Sequence, residues 1–171
     1  MRSKFSMSIK AHYQVLFSYH GHTTRRLLEI AAQLDEGQYH EQGEYGPGAI
    51  HDLFLHLLQA DHGWRIGLET LHRPAALPAE DFASLESLSI ALEQEDAAWQ
   101  TYLKGVSDAD VVEAEISLTD KRGDLRTFPL WQILQHLILH GMQHHSELAE
   151  RLTQMGHSPG NLDFIYFKST S

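Results

Sequence analysis

"LWQILQHLILHGMQHHSELAERL", residues 130–152, decides how the whole chain is read. Leu130, Ile133, Leu137, Leu148 and Leu152 recur at steps of three, four and eleven, which puts them on one stripe of an α-helix. Met155 continues the stripe. His144 lies inside it and His140 at its edge. His145 sits on the other flank, roughly 60° away at about 100° per residue. His136 lies further from the stripe. Leu139 and Met142 point away from it, and a helix apolar on two sides is either central or covered by something else. Leu139 and Met142 therefore lead us to expect a homodimer through this helix.

The same spacing governs most of the chain. Tyr13, Leu16, His20, Thr23, Leu27, Ile30 and Leu34 form one stripe of a first helix. "DEGQYHEQGEYGPG", residues 35–48, breaks the pattern with glycines and a proline. A second helix is expected from near Gly48 to about Leu71, with Ile50, Leu53, Leu57, Ala60, Trp64, Leu68 and Leu71 inward. After "HRPAALPAEDF", a third is expected over about 80–105, carrying Leu85, Leu88, Leu92, Trp99 and Leu103. Pro78 followed by acids suits its first turn. Short alternating runs around "DKRGD" predict a small β-hairpin. Pro129 suits the first turn of the last helix, and Gly156 and Pro159 end it. The apolar tail "NLDFIYF" should pack back on the body. This pattern predicts an all-α fold, an up-down four-helix bundle with a small β-hairpin before the last helix, as one domain over residues 1–171.

Composition narrows the function. The 171 residues carry a net charge of −10 with histidines neutral, which opposes a nucleic-acid surface. No apolar run reaches the length of a membrane span or a signal peptide, so a cytoplasmic protein without membrane partners is expected. There is no cysteine, so a bound metal must sit on His, Asp or Glu. Histidines number 13, as many as Lys and Arg together.

Face geometry sorts those histidines. On the second helix His56 lies within roughly 70° of the apolar centre, whereas His51 and His62 fall nearly opposite and read as solvated. On the last helix, His136/His140 and His140/His144 both have the i,i+4 spacing that lets two imidazoles share one ion. The spacing leaves both pairs open. An inward His on another helix would complete a three-imidazole site with an open position. His20, on the first helix's inward stripe, is a candidate pocket residue together with Thr23. His12, His22, His40, His72 and His157 read as surface or loop residues.

Three stretches resemble the DinB superfamily, which includes mycothiol-dependent isomerases. "RRLLEIAAQL" is similar to its first helix. "LFLHLLQADHGW" is similar to its second-helix motif, a His followed eight residues later by Trp. The run from residue 130 to "GHSPGNLDFIYF" is similar to its closing segment. The resemblance implies a four-helix bundle with a divalent metal on three ligands, which fall on His56, His140 and His144; imidazole ligands are borderline in softness and suit zinc, nickel or iron. It implies a small-molecule substrate and thiol-dependent transfer or isomerisation with a low-molecular-weight thiol, or hydrolysis. The alternative is a non-catalytic metal- or ligand-binding stress-response protein. Many relatives are dimers. The family often places Arg-Gly-Gln after the second paired His; His145, Ser146 and Glu147 stand there, and His145 offers a slipped alternative to His144.

Overall fold

The computed structural model describes residues 7–43, 48–120 and 122–168. Four long helices make the body: α1 (Ile9–Ala31), α3 (Ile50–Thr70), α4 (Leu85–Gly105) and α6 (Leu130–Gln154). Two short helices, α2 (Glu36–His40) and α5 (Asp108–Glu113), lie in the connections. A two-stranded antiparallel hairpin, β1 (Glu115–Thr119) and β2 (Leu125–Pro129), leads directly into α6. Residues 44–47 of the glycine-rich break and residue 121 of the hairpin turn lie outside the described residues. Among the described residues no helix is long and apolar enough to cross a membrane.

Caps explain where the helices begin and end. Ser8 accepts the Ala11 N–H and starts α1. Ser84 does the same for α4 through Ser87 N–H, so that helix starts at Leu85 rather than near residue 80. The Pro78-Ala-Glu-Asp signal instead makes one 3-10 turn, Ala79–Phe82. At the end of α6, Gly156 takes φ +87° and the His157 N–H bonds back to Leu152 C=O, a Schellman closure that favours glycine at this position. The tail docks in part: Tyr19 donates to Leu162 C=O and packs edge-on against Phe164 and Phe167, while Ile165 and Tyr166 stay exposed.

α1 packs on α4 and α6, and α3 packs on the same two. Cross-helix pairs give the directions. Lys10 reaches Lys104 and Asp108 while Arg25 reaches Asp96, so α1 and α4 are antiparallel. His62 and Arg65 meet Glu95, and Leu53 and Leu68 lie towards opposite ends with Leu88 and Leu103, so α3 and α4 are parallel. The bundle therefore runs up, down, down, up. Residues 71–84 return along its length, which is why the proline-rich break there is long and extended.

The apolar core forms two clusters. One joins Leu27, Leu53, Leu57, Leu88 and Leu148; the other joins Phe17, Leu68, Trp99, Leu103 and Ile133. Between them each long helix contributes polar side chains: His20 and Thr24, His56 and Asp61, Glu95, and His140, His144 and His145. Burying polar groups costs free energy unless each finds a partner. This polar layer is where the molecule concentrates such groups.

Candidate metal centre

His56 on α3 faces His140 and His144 on α6. The Nε2 atoms of His56 and His140 stand 3.1 Å apart, and those of His144 and His140 3.2 Å apart. One ligand atom from each of the three lies within 4.8 Å of the others. Two nitrogens bound to one tetrahedral zinc would be about 3.3 Å apart, given Zn–N of roughly 2.0–2.1 Å. The donor set therefore fits a divalent ion, and this group of three could hold one.

Neighbouring groups orient these rings. His144 Nδ1–H donates to Glu147 Oε2 at 2.7 Å, leaving its Nε2 lone pair towards the other two rings. Burial, reinforced by the neighbouring charges of His144 and His56, pushes His140 down to about 4, so it is neutral at ordinary pH. Its Nδ1 is buried with no hydrogen-bond partner among the described residues. Neutral imidazoles are the form that binds metal.

Behind the cluster lies a second polar group. His20 Nε2–H donates to Asp61 Oδ2 at 3.0 Å, with both side chains about nine-tenths buried (12% and 9% exposed). Burial alone would lower His20, but the charge and hydrogen bond of Asp61, with Asp96 further off, outweigh it and leave it raised. The ring fits because residue 141 is glycine: a Cβ there would come within 2.3 Å of His20 Nδ1. The His145 ring lies tilted against His20 at 4.8 Å between centroids, and its Nε2 meets Thr24 Oγ1 at 2.8 Å. The Thr24 hydroxyl donates to His20 C=O, so it accepts from His145. Burial, then the charges of His20 and His144, holds His145 well below its ordinary value.

The positions of the other expected residues differ in instructive ways. Thr23 is buried, but its Oγ1 has no hydrogen-bond partner among the described residues, and Thr24 is the residue that reaches the polar layer. His145 points into the α1 interface, away from the three-imidazole group. His136 is exposed and lies edge-on to Trp64 and near His140. His51 and His62 are not solvated: His51 is buried and bonded to Asp52 and Phe82 C=O, and His62 is half-buried against Glu95. A helix inside a bundle touches two neighbours, so a single stripe misses its second contact face. His22, His40 and His72 are exposed, while His12 and His157 are half-buried. Asp61 and Thr24 escaped the sequence reading, which placed Glu147 without its bond to His144. The one available signal was Asp61, an acid within an otherwise apolar helix face.

The DinB family model matches residues 7–171. The crystal structure of a DinB-like protein from Bacillus subtilis superposes with a TM-score of 0.64 at 17% identity, covering 86% of this chain and 94% of that one. At that identity the likeness concerns the fold. No curated protein matches this chain.

Proposed function

The chain belongs to the DinB family, and from that premise we propose that it binds one divalent transition-metal ion on His56, His140 and His144 and acts on a small electrophilic molecule. The observation that carries this reading is the convergence of three imidazole Nε2 atoms from two helices. Zinc, nickel and iron all suit such a donor set. When bound with an open position, the ion supplies Lewis acidity and lowers the pKa of a coordinated nucleophile. This chain has no cysteine, so a thiol nucleophile would come from a low-molecular-weight co-substrate. The reaction is then thiol transfer or isomerisation, with hydrolysis where water takes the thiol's place.

The residues around the cluster have definable work in this scheme. Glu147 holds the proton of His144 on Nδ1, so Nε2 stays free as a ligand. His20 and Asp61 keep a proton between Nε2 and Oδ2 in the same polar layer. The two apolar clusters exclude water from either side of it.

Elemental analysis of the purified chain, followed by H56A and H144A, tests the proposal. We expect about one ion per chain, and at least about a tenfold loss of affinity in each variant with helical content retained. Unchanged metal content in both variants would overturn the assignment. A bound ion that exchanges neither water nor thiol would favour a non-catalytic metal-binding stress protein.

A further inference from the structure

Arg73 belongs to no ion pair among the described residues, yet its side chain is closely seated. Its stem lies in a groove left by two glycines one turn apart on α3. A Cβ on Gly67 would come 3.1 Å from Arg73 Cδ, and one on Gly63 would come 3.2 Å from Nη2. Its backbone N–H is held by Thr119 C=O at 3.3 Å, tying it to the hairpin. The guanidinium sits 4.1 Å above the Trp64 ring, a cation–π contact. Nε is buried without a hydrogen-bond partner among the described residues. Burial depresses the pKa of the side chain below the usual arginine range. A half-buried cation with no counter-ion is a costly arrangement that an incoming anion would relieve.

The group faces an open cleft of about 470 Å³. Trp64, Leu118 and Phe128 supply its apolar walls, and Arg122 and Arg126 add positive charge at the rim. Asp120 also lines it, but that carboxylate already accepts from the Arg122 and Asp124 N–H groups and from Arg126. Arg126 is further engaged with Asp124; among the described residues of the cleft Arg73 and Arg122 have no ion pair, and Arg73 is the one seated against the Trp64 wall. The cleft adjoins the metal centre: the Trp64 ring contacts His136 at 5.6 Å, and His136 stands 5.8 Å from His140.

We propose that this cleft binds a small molecule carrying a carboxylate or phosphate on an apolar body, with Arg73 taking the anion and Trp64, Leu118 and Phe128 covering the rest. A guanidinium matches either anion through two parallel N–H donors. On the metal-centre reading proposed above, the anion is the charged end of the molecule on which that centre acts.

Calorimetric titration tests the cleft separately from the metal. Benzoate and phenyl phosphate are the probes and benzyl alcohol the uncharged control, used on the full chain as purified and after chelation. We expect saturable one-site binding of at least one anion, with benzyl alcohol at least about tenfold weaker. R73M keeps the stem in the glycine groove and should weaken the anion by about tenfold or more, whereas H144A should leave chelated-protein affinity within about twofold. Should R73M fail to fold, R73K retains the charge without the fork and should bind about three- to tenfold more weakly. Equal affinity in wild type and the Arg73 variant overturns the proposal, as does the absence of saturable anion binding. Loss of binding in H144A but not at Arg73 moves the anion to the imidazole cluster. That outcome also overturns the cleft, and leaves the metal assignment intact.

Discussion

A methyl group on residue 141 would fall within 2.3 Å of the His20 ring. Glycine inside a helix costs about 1 kcal/mol relative to alanine, so local propensity argues for Ala at this site and packing argues against it. His20 is hydrogen-bonded to Asp61, which makes the ring expensive to displace. G141A should therefore lower stability by about 1–2 kcal/mol despite its gain in helix propensity, a typical overpacking result. Urea unfolding checks this, and an increase in stability would refute it. At this scale the spacing of His140 and His144 was legible in the sequence, because neighbours on one helix face follow from the 3.6-residue turn alone. The inward direction of His56 was legible for the same reason. His145, His51 and His62 were not, because their partners lie on α1, on the turn before α4, and on α4 itself.

Among the elements, α6 carries the most information and the least settled face. Its inner stripe is buried, as the periodicity predicts. On the outside Leu139 is 61% and Trp131 46% exposed, while Met142 is half-buried. These outward apolar side chains carry the proposal of a homodimer through this helix. Sedimentation velocity at micromolar concentration should then give about twice the 19.4 kDa chain mass. L139E should shift the population towards monomer, because a charge placed in an apolar interface is poorly tolerated. Wild-type protein sedimenting as a monomer would rule the dimer out. The hairpin was legible from alternation and the "RGD" turn, whose Gly123 takes φ +86°. The start of α4 was misplaced, since Ser84 with Ser87 makes the stronger cap and leaves the acids of Ala79–Phe82 on a separate 3-10 turn.

Across the whole molecule, one polar layer between two apolar clusters makes stability pH-sensitive. An ordinary histidine has a pKa of 6.5, and burial holds His140 at about 4 and His145 well below its ordinary value. For both, the unfolded chain binds protons that the folded chain refuses, so stability is lost as pH falls below 6.5. His20 has the opposite sign: its folded value is raised, so its contribution is complete below 6.5 and fades as pH rises through that folded value. Of these three histidines only the first two still shift the balance well below 6.5, and Asp96, raised by burial, works against them. Metal-free protein should therefore lose up to about 1.4 kcal/mol per pH unit for each of them between pH 6 and 5. Denaturant midpoints at several pH values check this, and H145Q should flatten the dependence; a midpoint that holds or rises on acidification would contradict it. By itself, the sequence determined four amphipathic helices, the hairpin, their approximate ends and two candidate histidine pairs on the last helix, because each depends on contacts within a few residues. Only the tertiary structure decided the parallel course of α3 and α4, the His20–Asp61 bridge, the seating of Arg73 on Trp64 and the second contact face of each helix. Those depend on which helix lies beside which, and a one-dimensional period records that a face is buried without recording what buries it.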